Sequence, residues 1–331
     1  MPADIAIEAA ADQDAKTTLA LRVSKITREA QDVASFELVD PLGLELPRFA
    51  AGAHLDVRIN DNIRRQYSLC NDPQERHRYV IAVLNEPAGR GGSRWMHEEI
   101  AVDSVLLVSP PRNHFPLAGR EALFHLLLAG GIGVTPVLSM AAALSAGQRP
   151  FRFIYAGRSR DQLAFLGEGE ALCREHLTIH TDDTSGIFDV KGLMASLAAD
   201  EPLYLCGPKP MIDTAIQSAK DLGWADGRLR FEIFTTATPV AGDQSFEVVL
   251  NNSGKTFKIP PDKTILAVLI EAGEDPMHDC QRGDCGICQV GVIEGTPDHR
   301  DYILTDAEKT AGKVMQICVS RSKSPRLVLD L

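Results

Sequence analysis

The feature that most constrains this 331-residue chain is Cys280-Gln281-Arg282-Gly283-Asp284-Cys285-Gly286-Ile287-Cys288, with one further cysteine, Cys318, near the end. The spacing C-x4-C-x2-C plus a distant fourth Cys is what a plant-type [2Fe-2S] cluster requires. One tight loop supplies Cys280, Cys285 and Cys288, and the fold must bring Cys318 back to them. Gly283 and Gly286 suit the task, because residues without a Cβ let the backbone wrap a bulky cluster and aim N–H groups at its sulfurs. Zinc sites place their cysteines in pairs two to four residues apart, and disulfides belong to oxidising compartments, so neither accounts for this set. A cluster of this kind moves one electron at a time. The rest of the chain must say where electrons enter and leave.

The length predicts two or three compact units. A formal net charge of -11 argues against nucleic acid, whose phosphates an acidic surface repels, and favours protein partners. No apolar run approaches the length that spans a bilayer, and the first residues, with Asp4, Glu8, Asp12 and Asp14, lack the order of a signal peptide. The remaining cysteines, Cys70, Cys173 and Cys206, lie far apart in sequence, as reduced intracellular thiols do. A cytoplasmic protein is expected, with residues 1–16, rich in Ala and Asp, as a flexible tail.

Residues 17–118 read as short strands, Leu19 to Ile26, Val33 to Leu38, His54 to Ile59, Arg65 to Leu69, Tyr79 to Val83 and Ser104 to Val108, which predict a small antiparallel barrel. Arg65-Gln66-Tyr67-Ser68-Leu69 places Arg65, Tyr67 and Leu69 on one face and Ser68 on the other. Alone, such a strand is more often a packing and solvent-contact strand. Gly89-Arg90-Gly91-Gly92-Ser93 precedes a predicted helix from Arg94 to Ile100, and glycine backbone feeding a helix start suits a phosphate. Arg65 can add a bidentate contact to the same group.

Residues 119–235 predict a nucleotide-binding α/β unit. The apolar run Leu123 to Ala129 leads into Gly130-Gly131-Ile132-Gly133-Val134-Thr135-Pro136, with Thr135 as a cap and Pro136 at the first helical position. Strand, glycine loop and helix start make a pyrophosphate cradle, or else a plain strand-to-helix turn. Strands at Phe151 to Tyr155, Leu177 to His180 and Leu203 to Leu205 follow, the last ending in Cys206-Gly207-Pro208-Lys209-Pro210-Met211. Arg158 and Arg160 are either 2′-phosphate contacts or solvated loop charges. A strand over Arg230 to Phe234 closes the unit, with Phe234 as a core or flavin-facing aromatic. Thr235 to Gly242 has linker composition. Residues 244–331 predict a β-grasp pattern: a hairpin over Ser245 to Leu250 and Lys255 to Ile259, a helix over Thr264 to Ala272, and strands Gln289 to Ile293 and Val314 to Val319, the last carrying Cys318.

R-x-Y-S-L with G-R-G-G-S resembles the flavin domain of the ferredoxin reductase superfamily, and G-G-I-G-V-T-P with C-G-P-K-P-M resembles its pyridine-nucleotide domain. The order flavin, nucleotide, ferredoxin is similar to the phthalate dioxygenase reductase family, which includes the vanillate demethylase reductases. The resemblance runs along the whole chain after the tail. It implies a multidomain α/β plus β protein: an antiparallel flavin-binding β-barrel, a Rossmann-like parallel α/β nucleotide domain and a β-grasp plant-type ferredoxin domain. It further implies FMN rather than FAD, NADH as donor and a terminal Rieske oxygenase as acceptor. By the same resemblance Tyr67 packs on the isoalloxazine and Ser68 lies near its reactive nitrogen. Arg65, Gln66, Gly91, Gly92 and Ser93 bind the FMN, Arg65, Gly92 and Ser93 holding its phosphate. Gly131, Ile132, Gly133, Thr135 and Pro136 line the NAD cleft, and Cys206, Gly207 and Pro208 sit beside the nicotinamide. Ser68 and Cys206 are the candidate catalytic residues. Hydride transfer needs no side-chain acid or base, so His54 and His114 read as surface or structural groups. Asp279 and Asp284 either steer a basic partner or are solvated loop charges. A monomer suits a shuttling reductase. The alternatives are an FAD enzyme serving another monooxygenase or a soluble ferredoxin, and a redox sensor without turnover.

Overall fold

The computed structural model describes residues 18–60, 63–89, 91–117, 124–235 and 240–331. The expected tail at 1–16, Arg90, Leu123 and linker residues 236–239 lie outside the described residues. The chain forms two compact units, Met1–Glu232 and Ile233–Leu331.

The first unit opens with β1 (Leu19–Ala30), β2 (Val33–Val39), β3 (Ala53–Asn60), β4 (Ile63–Ser68), β5 (Tyr79–Leu84), the helix α1 (Gly92–Glu98), β6 (Val105–Val108) and β7 (Arg112–Asn113). The sheet order is β4-β3-β6-β1-β2-β5, with β7 on β3, and a Leu69–Ile81 bridge joins the two ends. Closure of this kind removes the exposed edges that an open antiparallel sheet would carry. Alternation along the strands fills the interior: Leu21, Val23, Phe36, Leu38, Leu55, Val57, Ile81 and Val83 form one buried cluster. The six expected strands are present. The two-residue β7 was not expected, being too short to leave a period.

The parallel sheet follows in the same unit: β8 (His125–Gly130), α2 (Val134–Ala146), β9 (Phe151–Gly157), α3 (Leu166–Cys173), β10 (Leu177–Thr181), α4 (Asp182–Ser185), α5 (Val190–Ala195), β11 (Leu203–Cys206), α6 (Lys209–Asp221) and β12 (Leu229–Glu232). Its order is β10-β9-β8-β11-β12, all parallel, so the order reverses between β8 and β11. Such a switch point leaves a crevice at the carboxyl ends of the strands. Every residue of β8 is buried, as a central parallel strand demands. The last strand stops at Glu232, two residues short of the expected Phe234, which is half-buried at the start of the second unit. Barrel and parallel sheet pack closely: a Cβ on Gly52 would meet the Phe115 carbonyl oxygen and, at 3.1 Å, the Met140 side chain on α2.

The second unit contains β13 (Phe246–Leu250), β14 (Thr256–Ile259), α7 (Ile265–Glu271), β15 (Gln289–Glu294), β16 (Pro297–Asp298), α8 (Asp306–Ala311), β17 (Val314–Gln316), β18 (Arg321–Ser322) and β19 (Arg326–Asp330). The mixed sheet runs β14-β13-β19-β15-β17, with β13 and β19 parallel. α7, capped by the Thr264 hydroxyl accepting from Ala267 N at 3.1 Å, packs Ile265, Leu266 and Leu269 into the core. This is the expected β-grasp layout with one correction. The strand at Val314 ends at Gln316, so Cys318 lies just beyond it, in a turn closed by Ser320 N to Gln316 O at 3.0 Å. A strand continued through Cys318 would keep pairing outward along β15, whereas the turn lets its sulfur face the cysteine loop.

Candidate functional site

The loop between α7 and β15 carries three of the cysteines, and its shape rests on three positive-φ positions, Gln281 at 55°, Gly283 at 83° and Gly286 at 80°, of which only the two glycines adopt it without steric cost. Gly283 has a second reason to lack a side chain, since a Cβ there would sit 2.7 Å from the Val319 side chain and 3.2 Å from the Asp301 Cα. Cys280, Cys288 and Cys318 are buried and Cys285 is half-buried. All four sulfurs are linked by hydrogen bonds, Cys280 to Cys285 and Cys318, and Cys288 to Cys318. Backbone N–H groups also reach them: Arg282 donates to the Cys280 sulfur at 3.3 Å, Ile287 to Cys285 and Cys318 to Cys288.

Those bonds pull the Cys280 and Cys288 thiols below their ordinary range, chiefly because Cys285 and Cys318 donate to them. Cys285 and Cys318 are pushed up for the complementary reason, because each keeps the proton it shares, and burial adds to the effect. Four thiolates cannot ionise together in so small a volume without a cationic centre. The donor set, the N–H groups aimed at sulfur and the positive-φ turns therefore fit an iron-sulfur core.

In the first unit, the expected flavin residues lie on β4 and at the start of α1. Tyr67 faces Leu55 and Arg65 faces Val57 across the β3–β4 ladder, and Ser68 faces His54 on the other side. Burial pushes the Tyr67 phenol above its ordinary value, against the opposing pull of Arg65. The Arg65 side chain lies directly over Gly92, where a Cβ would come within 2.8 Å of its Cγ and Nε. Gly91, at φ 89°, turns the chain into α1, which starts at Gly92 rather than at Arg94. Ser93 accepts from Glu86 N at 3.1 Å, which folds the glycine loop back on β5.

At the switch point, the two glycine turns of the parallel sheet meet. A Cβ on Gly133 would stand 2.2 Å from the Cys206 carbonyl oxygen, and one on Gly130 would stand 2.6 Å from Pro208 and 3.2 Å from Gly207 Cα. Gly131 to Gly133 form a short 3-10 turn, so α2 begins at Val134 with Gly133 as its cap. Thr135 and Pro136 therefore sit inside the first turn. The Thr135 hydroxyl bonds back to Ile132 O at 3.1 Å rather than capping the helix. Cys206 is fully buried.

The sequence reading did not single out Glu232. Its register partner is Cys206 in the parallel β11–β12 pair, and it is only 3% exposed. Ser68 donates to its carboxylate at 3.3 Å, so barrel strand and parallel sheet meet through these two side chains. Its polar character in an apolar strand end was the available signal. For His54, burial decides between the surface and the structural reading. It is buried, with its ring 5.2 Å from that of His114, and so is structural rather than on the surface.

A closed barrel, a parallel sheet with a glycine-lined switch point and a four-cysteine β-grasp domain define a modular redox protein of the reductase class. Residues 248–323 match the family described as "2Fe-2S iron-sulfur cluster binding domain", and residues 109–229 match "Dimethylamine monooxygenase subunit DmmA-like, N-terminal domain". Vanillate O-demethylase oxidoreductase of Pseudomonas putida is 44% identical over 92% of this chain and 96% of its own length. Phthalate dioxygenase reductase of Burkholderia cepacia is 42% identical over 95% and 97%. A solved phthalate dioxygenase reductase, described as a modular structure for electron transfer from pyridine nucleotides to [2Fe-2S], superimposes with a TM-score of 0.75 at 40% identity, covering 96% of this chain and 99% of the other. The chain belongs to the phthalate dioxygenase reductase family, and it is an oxidoreductase with a 2Fe-2S electron-transfer domain. Among the described residues no helix is long and apolar enough to cross a membrane.

Proposed function

We propose that this chain takes electrons from NADH onto FMN, passes them singly to a [2Fe-2S] cluster, and delivers them to the Rieske cluster of a terminal aromatic-ring oxygenase. The observation that carries the reading is the four-sulfur set with N–H donors aimed at it, in a chain whose other unit joins a barrel to a nucleotide-type sheet through Ser68 and Glu232. When bound, the flavin converts a two-electron donor into one-electron deliveries and the cluster carries one electron at a time. Cys280, Cys285, Cys288 and Cys318 hold the iron. Arg65 over Gly92 holds the flavin phosphate, with Gln66, Gly91 and Ser93 beside it, and Tyr67 covers the ring. Gly131 to Pro136 and Cys206 to Pro208 frame the nucleotide. Ser68, which donates to Glu232, would orient the reacting groups through its hydroxyl.

NADH rather than NADPH is the donor that the family resemblance favours, and Arg160 is engaged by Glu170 at 2.6 Å on the surface. The three modules divide at 17–118, 119–235 and 244–331. The protein works in the cytoplasm as a monomer, a compartment supported by Cys70, Cys173 and Cys206, the unpaired cysteines outside the cluster set. Anaerobic titration with NADH, followed by visible absorption and EPR, tests the relay. Flavin bleaching and then a reduced-cluster signal are expected, and a cluster that stays EPR-silent while the flavin is fully reduced overturns it. Flavin released by heat and identified by chromatography must be FMN. Size-exclusion chromatography and cell fractionation test the monomer and its compartment.

A further inference from the structure

We propose that Asp301 is a positioning residue of the cluster site whose buried negative charge lowers the cluster's reduction potential. The inference rests on the four-cysteine reading given above.

The Asp301 side chain is completely buried. Its Oδ1 accepts from Leu304 N at 2.8 Å, closing the turn 301–304. The next residue, Tyr302, donates its N–H to Gly283 O at 2.9 Å, and the Asp301 Cα lies 3.2 Å from where a Gly283 Cβ would be. Asp301 thus stands directly behind the turn that separates Cys280 from Cys285. Its other oxygen, Oδ2, has no hydrogen-bond partner among the described residues. His299 Nδ1 stands 3.7 Å from it, and both ring nitrogens of that histidine are buried without a hydrogen bond among the described residues. Lys309 lies 3.7 Å from Oδ1 and spends a hydrogen bond, at 2.6 Å, on the Asp301 carbonyl. Arg300 is turned away, bound to Asp243 and Asp298.

Leaving one oxygen of a buried carboxylate unbonded is costly, and the turn does not require it. Asn or Ser would close the same turn through a neutral acceptor. The turn needs only the acceptor of Asp301; its charge is met at 3.7 Å by the Lys309 ammonium and faces the His299 ring at 3.7 Å. Reduction of the cluster adds one electron, delivered by the reduced flavin, with no bond made or broken. A fixed negative charge behind the loop opposes that arrival, and Lys309 offsets part of the effect.

The test is an anaerobic redox titration of the full chain, loaded with flavin and cluster and read by EPR. D301N keeps an oxygen for Leu304 N and removes the charge. It is expected to leave the EPR line shape unchanged and to raise the potential at least tenfold in the flavin–cluster electron-sharing equilibrium, about 59 mV for one electron. K309Q is expected to lower the potential. A purely structural role would change the rate of cluster loss and leave the potential in place, so a D301N potential equal to that of the parent overturns the proposal. Should D301N fail to fold, K309Q decides alone, an unchanged potential being the overturning result. A parent protein with no cluster signal would instead overturn the four-cysteine reading.

Discussion

Gly133→Ala isolates the contact between the two glycine turns at the switch point. Gly133 has φ -61°, which alanine adopts freely and which favours a helix start, so the backbone raises no objection. The objection is steric: the added carbon would stand 2.2 Å from the Cys206 oxygen, 2.4 Å from its carbonyl carbon and 2.8 Å from Gly207 N. All three are backbone atoms at the end of β11, and no rotamer change relieves them. The end of β11 must move off the start of α2, at the overpacking cost of about 1–3 kcal/mol. If that strain falls on the nucleotide crevice, NADH affinity drops roughly 5- to 140-fold at 1.4 kcal/mol per tenfold. Stopped-flow reduction of the flavin at varied NADH measures the apparent Kd, with the cluster EPR signal as an internal control. Gly167→Ala in α3 is the contrast, because nothing lies within 4 Å of that position and it stands outside the crevice, so NADH affinity should not change. A Gly133→Ala protein that binds NADH like the parent, or that loses only thermal stability, refutes the placement of the crevice.

Removing the hydroxyl in Ser68→Ala deletes one buried hydrogen bond to Glu232, worth about 0.5–1.5 kcal/mol, so flavin reduction at saturating NADH should slow roughly 2- to 13-fold. An unchanged rate would remove Ser68 from the reacting groups. Cys285→Ser should abolish the iron-sulfur absorption and spare the flavin bands; an intact spectrum would refute the ligand set. Asp243 is held down to about 2, first by its hydrogen bonds from Arg300. A depressed carboxyl stabilises the fold above its unfolded value and loses that contribution as pH falls through the folded one. Asp243→Asn should therefore cost about 1–2 kcal/mol at pH 7, and its deficit should narrow as pH drops below about 4 toward 2. Denaturant unfolding at several pH values measures the gap, and a deficit that does not change with pH would remove Asp243 as its source.

Local chemistry was legible in the sequence where it depends on spacing, and illegible where it depends on register. Four cysteines in C-x4-C-x2-C with a distant fourth name their ligand whatever the sheet does, so the cluster loop could be read directly. Glu232 could not, because only the parallel pairing of β11 with β12 sets it beside Cys206, and only the approach of the barrel brings Ser68 to it. Thr135 looked like a helix cap because Ser, Thr and Asp usually are. The short turn at Gly131–Gly133 consumed that position first. His54 fell on the face of β3 away from the barrel interior, which alternation marks as exposed, and the neighbouring His114 segment covers it. Asp301 carried no signal, since its burial comes from the return of the chain behind Gly283.

The four ligands are not equivalent to the fold, and this decides which of them reports on iron alone. Cys288 and Cys318 belong to the apolar core of the second unit, among Leu266, Leu269, Ile317 and Leu329. Cys280 is buried, bonded to the Arg282 N–H and central to the thiol network. Replacing any of these removes a core or network contact as well as a ligand, so loss of the cluster would be mixed with loss of packing. Cys285 is half-buried, lies outside the core cluster, and sits between Asp284 and Gly286 in the loop. A serine hydroxyl can still donate to the Cys280 sulfur as the Cys285 thiol does, so little but the metal bond is disturbed, and the first unit has a separate core built from the barrel strands. A spectrum that keeps its flavin and loses its iron after that one substitution can be assigned to ligation, whereas the same spectrum from a Cys318 variant could equally come from an unfolded small domain.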